Sequence, residues 1–390
     1  MSLTIADGAI RWVRSGQTEV VRGIDYLVRD ENWGTLAAQT LRETVGEDGD
    51  GFFYERAFRA GEDFEGLFRV EAKGGTAPGL HASLKLTALR DVHVNRAGFV
   101  VLHPLEGVVG AALEVTHADG TKEHTAFPEA ISPGQPVFDI AGLTHDVAGH
   151  TVSMTFSGDV FEMEDQRNWS DASYKTYCRP LGLPRPFLVR AGEVISQSIE
   201  LSVTVAGKQS QAAEDRREEG VAPAVMLALD DTVAATDAAA MAAVAGTGVD
   251  GVAVRLHGPL GALPAASEGC PVDLEVVVPD GEAPDAVLHA VAERCAGEGV
   301  SPRRVAALPE AYLASIQPEG PWPAPTPGDT AVAAREVFRW AAIGGGVFTN
   351  FTELNRCRPD FESDFVTFGS SAIVHAADDA SVLETLETFS

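Results

Sequence analysis

The densest group of chemically useful side chains in this chain lies in residues 161–177. This stretch combines carboxylates, two cations, two carboxamides and several aromatic rings. It shows neither a strict alternation nor a helical apolar stripe, so we expect a long connection that leaves a strand. Sugar-like ligands present hydroxyl groups to carboxylates and amides, and ring faces to aromatic side chains. The stretch therefore predicts the wall of a binding site for a small polyhydroxylated molecule; the alternative is a structural loop held by ion pairs.

Two cations in this stretch are candidates for stabilising a negative charge that develops during a reaction. Arg167 and Lys175 are the side chains expected to do so. The alternative for Arg167 is an ion pair with a carboxylate of the same stretch, Asp165 or Asp171, which would hold the loop together. The side chains expected to bind a polyhydroxylated ligand are Glu164, Asp165, Asn168, Trp169, Asp171 and Tyr177.

A second group of candidates follows the strand-like runs of the C-terminal half. Glu353, Asn355 and Arg356 come directly after the apolar run 346–351, and His375 ends a later apolar run. In a parallel barrel, reactive groups cluster where strands end and helices begin. We therefore expect Glu353 and His375 to share one rim, with Asn355 and Arg356 beside them. The alternative for His375 is a core histidine that is merely hydrogen-bonded.

Asp378 belongs to the same late unit as His375 and is also a candidate for substrate binding. The helical pattern that begins at Ser381 offers a structural alternative for Asp378 or Asp379, which is a helix N-cap. A divalent cation could also be held by Glu164, Asp165, Asp378 or Asp379, because hard cations take oxygen ligands. The spacing does not demand a metal, and we expect no cofactor.

The pattern of apolar residues divides the chain into two domains. Residues 1–205 contain many short strands with turn signals, including a hairpin around Asp119-Gly120, which predicts a β-sandwich. Residues 206–221 are polar and aperiodic, as expected of a linker. Residues 222–390 repeat a βα pattern and predict a TIM-like (β/α) barrel. About six βα units are present where a closed barrel has eight. We therefore expect an incomplete barrel, either because the chain is truncated at its C-terminus or because the barrel is open.

Composition excludes several classes of function. The formal net charge of −28 argues against binding to nucleic acids or to anionic membranes. No signal peptide and no membrane-spanning run is recognisable, so we expect a cytoplasmic protein. The four cysteines show no metal-ligand spacing. A Gly-x-Ser-x-Gly elbow, a Walker loop and a His-Glu-x-x-His motif are all missing from the sequence. The sequence does not indicate an oligomeric state.

Several blocks of sequence carry a resemblance to a known family. These blocks are residues 28–35, 95–104, 161–181, 352–356 and 374–379, which together span most of the chain. With them the chain resembles the D-apionate lactonase family, which comprises sugar-lactone hydrolases of branched-pentose catabolism. The resemblance implies a carboxylic-ester hydrolase that opens a D-apionolactone-like ring to the aldonic acid.

Lactone hydrolysis requires a base that activates water, a group that stabilises the carbonyl oxygen, and an acid that assists the leaving alkoxide. We expect Glu353 and His375 to be the base and the acid, and Arg167 and Lys175 to stabilise the oxyanion. One alternative function is a glycoside hydrolase, whose second carboxylate would lie about 5–10 Å from Glu353. Another alternative is a non-catalytic carbohydrate-binding protein.

Overall fold

The computed structural model describes residues 1–48, 51–74, 78–205, 223–230, 238–265, 270–314 and 323–389. The linker expected at residues 206–221 lies outside the described residues. The chain forms two compact units, of which unit 1 comprises Met1–Arg216 with Ala372–Ser390 and unit 2 comprises Arg217–Ser371. Residues 372–390, which the sequence analysis assigned to the barrel domain, thus group with the N-terminal unit. Within the described part of the chain, no helix has the length and apolar character needed to span a membrane.

Unit 1 contains sixteen strands within its described residues, all joined in one hydrogen-bonded sheet of antiparallel pairs. The strands are β1 (Ser2–Ala6), β2 (Ala9–Ser15), β3 (Thr18–Asp30), β4 (Ala38–Asp48), β5 (Gly51–Ala60), β6 (Phe64–Lys73), β7 (Gly79–Ala88), β8 (Val92–His103), β9 (Ala112–His117), β10 (Lys122–Ala126), β11 (Val137–Val147), β12 (His150–Ser157), β13 (Phe161–Asp165), β14 (Tyr174–Cys178), β15 (Phe187–Val189) and β16 (Val194–Val205). The main path of the sheet runs β1-β2-β3-β8-β14-β13-β11-β12-β16-β7-β6-β5-β4.

These strands form because apolar residues alternate with polar ones along them. In β6, Phe64, Phe68 and Val70 are buried, whereas Glu65 is exposed. Alternation of this kind gives a strand one face for the core and one for solvent. The central strands β8 and β14 differ, because nearly all of their residues are buried. The buried faces pack into one contiguous apolar core. The large antiparallel β domain is confirmed, while its division into the two layers of a sandwich stays a prediction.

The hairpin predicted from Asp119-Gly120 is confirmed. β9 pairs with β10, with Thr116 opposite Lys122. Gly120 has a φ of 83°, a left-handed conformation that glycine adopts without steric cost. The described residues also contain three short 3-10 helices, at Gln166–Trp169, Glu310–Leu313 and Thr385–Phe389. One α-helix, Asp379–Glu384, lies in the C-terminal segment of unit 1.

Unit 2 contains a parallel sheet of six strands among its described residues, in sequential order from β17 to β22. The strands are β17 (Met226–Asp230), β18 (Gly251–His257), β19 (Val272–Val278), β20 (Arg304–Pro309), β21 (Ala342–Asn350) and β22 (Phe365–Gly369). The helices between them are α1 (Ala238–Ala245), α2 (Pro284–Glu298), α3 (Pro327–Val337) and α4 (Phe351–Arg356), so that the C-terminal helix Asp379–Glu384 is α5. Apolar residues of the central strands pack against α2 and α3, as in a βα architecture.

The sixth strand differs from the prediction. The apolar run that ends with His375 predicts this strand at residues 372–375, but the strand is β22, Phe365–Gly369. Residues 372–375 form a turn and a bend instead. His375 therefore does not stand at the end of a barrel strand.

Candidate active site

The polar motif of residues 161–177 is a hairpin within the sheet of unit 1, and the expected long connection was wrong. β13 and β14 pair with Glu164 opposite Lys175 and Glu162 opposite Tyr177. A 3-10 turn at Gln166–Trp169 joins the two strands. The short alternation Phe161-Glu162-Met163-Glu164 is the signal that the sequence analysis overlooked, because it spans too few residues to stand out beside the polar turn.

This pairing gathers charged and polar side chains on the face of the sheet that is opposite the core. Directly paired residues of neighbouring antiparallel strands point to the same face. The rows that cross β3, β8, β14 and β13 are Gly23–Leu102–Lys175–Glu164, Asp25–Val100–Tyr177–Glu162, Leu27–Gly98 and Arg29–Arg96. We call this surface the polar face; the alternate residues of the same strands, such as Ile24 and Phe161, lie in the core.

Lys175 and Glu164 form an ion pair on the polar face. The Lys175 Nζ and the Glu164 Oε2 are 2.5 Å apart, and the Trp169 Nε1 donates to the other carboxylate oxygen at 2.9 Å. Lys175 is only 8 % exposed. Burial lowers the pKa of Lys175, and Glu164 partly offsets this effect. Burial alone would raise the pKa of Glu164, but the charge and hydrogen bond of Lys175 outweigh it and hold that pKa below its usual value.

His375 contacts the turn of the same hairpin. The His375 Nδ1 lies 2.5 Å from the Asp171 Oδ2 and 3.4 Å from the Gln166 Nε2. The ring of Trp169 lies edge-on to the imidazole, with ring centroids 6.1 Å apart. The His375 side chain is 28 % exposed, so that it is accessible to a small molecule. A carboxylate on Nδ1 fixes the orientation of the ring and leaves Nε2 for proton transfer.

A cavity of about 160 Å³ opens beside these residues within unit 1. Its apolar lining includes Val100 and Leu102 of β8. The polar side chains that line it are Arg11, Arg22, Asp25, Arg29, Gln166, Asp171, Ser173, Lys175, His375, Ser381 and Glu384. The structure thus brings together Lys175, Asp171 and His375 from the predicted set, although they come from distant parts of the chain.

The sequence analysis missed the contribution of β2 and β3 to this cavity. Asp25 is accessible from the cavity but surrounded by protein, and this desolvation raises the pKa of its carboxyl. Arg11 and Arg22 also line the cavity. The period of two in β3, which puts Gly23, Asp25 and Leu27 on one face, could have identified Asp25.

Charged contacts from β2 and β3 hold the segment that carries His375. The Trp12 Nε1 donates to Glu384 at 2.6 Å, and Arg11 donates to Ser381 at 3.1 Å. Arg22 pairs with Glu387 at 3.0 Å. These contacts attach α5 and the following 3-10 helix to unit 1, and they thereby fix the position of His375.

Arg167 and Asp165 are not among the residues that line the cavity. The Arg167 guanidinium binds both oxygens of Asp165, at 2.9 and 2.7 Å, and also donates to the carbonyl oxygens of Pro128 and Glu129. Asp165 is fully buried and accepts a further hydrogen bond from the Ser132 amide at 3.0 Å. All these contacts join the turn of the hairpin to residues 128–132, which is the supporting arrangement named above as the alternative for Arg167.

Three other predicted residues have structural contacts. Asn168 is buried in the 3-10 turn. The Tyr177 hydroxyl donates to the Glu162 Oε1 at 2.5 Å, and its ring lies under the Arg96 guanidinium. Asp378 caps α5, accepting from the Ser381 amide at 3.0 Å. Their roles in substrate binding stay predictions.

Glu353, Asn355 and Arg356 lie in α4 of unit 2, directly after β21, as the sequence predicts. Glu353 and Arg356 form an ion pair at 3.2 Å, and the Asn355 side chain accepts from Arg358 at 2.5 Å. Glu353 also lines a cavity of about 80 Å³ in unit 2. Because His375 belongs to unit 1, the shared rim of Glu353 and His375 stays a prediction.

The carboxylates considered for a metal are engaged otherwise. Glu164 is bound to Lys175, Asp165 to Arg167, and Asp378 caps a helix. Among the described residues, no group of three or more histidine, cysteine, aspartate or glutamate side chains is arranged to hold a metal ion.

Comparison with known proteins gives two matches to family models. Residues 1–206 match the model described as D-apionate lactonase, N-terminal domain, and residues 259–390 match the model described as D-apionate lactonase, TIM barrel domain. A D-apionate lactonase of Brucella anthropi is 35 % identical over 99 % of this chain. The chain spans 67 % of the length of that relative.

Solved structures show weaker similarity. The GH36 α-galactosidase AgaA from Geobacillus stearothermophilus, in complex with stachyose, aligns with 93 % of this chain and 66 % of its own, at 10 % identity and a TM-score of 0.31. The α-N-acetylgalactosaminidase NagBb from Bifidobacterium bifidum, in complex with GalNAc, aligns with 89 % of this chain and 77 % of its own, at 9 % identity and the same TM-score. Similarity at this level does not define a shared fold.

Proposed function

Because this chain belongs to the D-apionate lactonase family, we propose that it hydrolyses a D-apionolactone-like sugar lactone to the aldonic acid, and that the cavity of unit 1 binds the substrate. The main support for the proposal is that Lys175, Asp171 and His375 line the same cavity. Its volume of about 160 Å³ lies below the ~300–1,000 Å³ range typical of drug-sized ligands, which suits a small monosaccharide derivative.

His375 acts as the proton-transfer group in this proposal. Its Nε2 accepts a proton from water, while Asp171 at Nδ1 fixes the ring and stabilises the imidazolium that forms. The activated water adds to the lactone carbonyl carbon. When the tetrahedral intermediate collapses, the ring C–O bond breaks and the leaving alkoxide takes the proton from His375. One water is consumed and one hydroxy acid is released, which ionises to a carboxylate at neutral pH.

Lys175 stabilises the oxyanion of the tetrahedral intermediate. A cation that is buried and already oriented acts more strongly than one in water, because the local dielectric is low and no reorganisation is required. Glu164 holds the ammonium in place and favours its protonated form. The Trp169 Nε1 donates a hydrogen bond to the Glu164 carboxylate and so helps to hold it beside Lys175.

Hydroxyl groups of the substrate bind to the polar lining that β2 and β3 supply. Asp25 accepts from hydroxyl donors, and Arg11 donates to hydroxyl oxygens. Val100 and Leu102 contact the carbon skeleton. Such a combination of an apolar floor with a few polar groups is typical of small-molecule sites.

The test is to supply D-apionolactone and follow acid release with a pH indicator. His375→Asn should lower kcat/KM by about 100- to 10,000-fold, because proton transfer is lost. Lys175→Met should lower it by about 100- to 1,000-fold, because the oxyanion loses its cation. The matched controls are His93→Asn and Lys85→Met, which change the same residue types at exposed strand positions. Parent-like rates in His375→Asn and Lys175→Met, with folding verified by circular dichroism, would refute the proposed site.

A further inference from the structure

Two arginines stand directly opposite each other on the polar face. Arg29 of β3 and Arg96 of β8 are direct partners in the antiparallel ladder. Side chains at such positions start about 4.5–5.5 Å apart, and like charges there destabilise the sheet. A negative charge nearby would stabilise such a pair.

Among the described residues, no carboxylate forms an ion pair with either arginine, although the charge of Asp30 acts on Arg29. Arg96 is only 7 % exposed, and its Nε is buried without a hydrogen-bond partner among them. Its guanidinium instead lies over the ring of Tyr177, at 3.7 Å, and near that of Trp33, at 5.7 Å. Arg29 donates to the Trp33 carbonyl oxygen at 3.1 Å. Burial and the charge of Arg96 lower the pKa of Arg29, and the neighbouring Asp30 offsets this effect only in part.

Arg22 is a buried arginine of unit 1 that does have carboxylate partners. It is 4 % exposed, nearly as buried as Arg96, but it pairs with Glu19 and with Glu387, each at 3.0 Å. Arg167, also buried, pairs with Asp165. Arg22 and Arg167 are thus neutralised by carboxylates, and the buried Arg56 is hydrogen-bonded by hydroxyl groups and backbone carbonyl oxygens. Arg96 differs from these three, because its Nε has no hydrogen-bond partner among the described residues.

The arginine pair adjoins the candidate active site. Arg29 lines the same cavity as Lys175 and His375. Arg96 is close enough to Lys175 for its charge to lower the pKa of that ammonium. Three cations therefore converge here, and Glu164 is engaged with Lys175. Trp33, which flanks Arg96, is 40 % exposed and has a φ of 68°, a conformation unusual for a bulky side chain.

We propose that Arg29 and Arg96 form a carboxylate-binding subsite, in which the aldonate produced by lactone hydrolysis is retained after the reaction. Guanidinium groups present N–H donors that match the two oxygens of a carboxylate. The neutral lactone has no such group, so the subsite distinguishes product from substrate and makes the acid a competitive inhibitor. The identity of the acid rests on the proposed function, whereas the anion site rests on the arginine pair alone.

Isothermal titration of the full chain with potassium D-apionate tests this inference without any turnover. Arg29→Gln and Arg96→Gln should each weaken binding at least about tenfold, since each removes a charge-assisted pair. Arg185→Gln is the matched control, because its guanidinium also lies near the Trp33 ring but bonds to the Leu181 carbonyl oxygen. The neutral lactone and sodium phosphate serve as ligand controls, and tighter binding of phosphate than of the acid would overturn the assignment to a carboxylate.

Thermal unfolding of the unliganded variants separates binding from a structural role. Removing one of two opposed like charges should leave the Tm unchanged or raise it. Unchanged acid affinity in Arg29→Gln would overturn the inference, whether or not the Tm of this variant is lowered. Should Arg96→Gln fail to fold, Arg96→Lys keeps the charge but loses the planar donor geometry, and it should also weaken acid binding.

The outcomes for the inference and for the proposed function are distinct. Arginine-dependent binding of the acid in a protein that does not open the lactone would refute the function and keep the anion site. Lactone hydrolysis without measurable binding of the acid would keep the function and refute the anion site.

Discussion

His145 lies in the core of unit 1 and makes the stability of the folded state depend on pH. Neither of its ring nitrogens has a hydrogen-bond partner among the described residues, and it packs edge-on against Phe127 and His103. Burial lowers the pKa of His145 to about 4 and that of His103 to about 3. Both histidines are therefore neutral in the folded protein at pH values where the unfolded chain is protonated.

His145→Phe should make the protein less sensitive to acid. A histidine whose pKa is depressed on folding contributes full stability above its unfolded pKa of about 6.5, and this stability falls as the pH drops toward the folded value. Between pH 7.5 and pH 5, the free energy of unfolding of the variant should fall by about 2 kcal/mol less than that of the parent.

Urea denaturation at the two pH values measures this difference. His93→Phe, at an exposed strand position, is the control and should behave as the parent does. An identical loss of stability in parent and His145→Phe would show that the imidazole of His145 is not held neutral in the core.

The sequence alone predicts some residues of the candidate site but not others. Lys175, Asp171 and Trp169 were identified because many functional side chain types are concentrated in one stretch. Arg11 and Asp25 were missed because each is an isolated charge in an ordinary strand, and only the sheet register brings them to the cavity. Residue type and local density reveal candidates, but the pairing of distant strands decides which of them meet.

The hairpin β13–β14 is the element that organises the candidate site. Its two strands supply Glu164 and Lys175, and its 3-10 turn supplies Gln166 and Trp169. The sequence analysis predicted the content of this element but not its form, since a five-residue strand offers only two or three alternating positions. The predicted hairpin at Gly120 succeeded because an Asp-Gly turn is a strong local signal.

The Asp165–Arg167 pair fixes the turn of this hairpin, and Arg167→Met should therefore be destabilising. The substitution leaves the Asp165 carboxylate fully buried without its counterion. Removing one partner of a buried pair costs about 3–5 kcal/mol. The double variant Asp165→Asn with Arg167→Met should recover part of this loss, because no buried charge then remains.

Urea unfolding of the three proteins measures the effect, and kinetics on folded protein separates it from catalysis. A supporting arginine changes kcat by less than about threefold, whereas loss of an oxyanion cation would lower kcat by about 100- to 1,000-fold. A loss of kcat with unchanged stability would restore Arg167 to the catalytic role considered in the sequence analysis.

The whole molecule carries a formal charge of −28, yet the polar face of unit 1 gathers Arg29, Arg96 and Lys175. Diffuse negative charge keeps an acidic protein in solution and is screened over about 8–10 Å at physiological salt. A partly enclosed group of cations is screened less than charges exposed to solvent. The local field at the cavity is therefore set by its own lining, in which Arg11, Arg22, Arg29 and Lys175 lie beside Asp25, Asp171 and Glu384. The net charge of the whole molecule is a poor guide to the ligand.

Family membership extends over both units, with matches at residues 1–206 and 259–390. The sequence predicts that Glu353 and His375 act together; in the structure, Glu353 belongs to unit 2 and His375 to unit 1. Glu353 is an ion-pair partner of Arg356 in α4, and the residues that line the cavity beside His375 belong to unit 1. Catalysis by His375 without Glu353 and catalysis with Glu353 as the base are therefore separate hypotheses, and the joint action of the two residues stays a prediction.

A double-mutant cycle on kcat/KM with Glu353→Gln and His375→Asn decides between the two hypotheses. If His375 acts without Glu353, Glu353→Gln should retain activity within about threefold of the parent, and the double variant should match His375→Asn. If Glu353 is the base, Glu353→Gln alone should lose about 100- to 10,000-fold, and the double variant should lose far less than the product of the two single losses, because groups that act in one step are not additive. The first pattern is expected, since the charge of Glu353 is already compensated within its own helix and no proton acceptor beyond His375 is needed to balance the reaction.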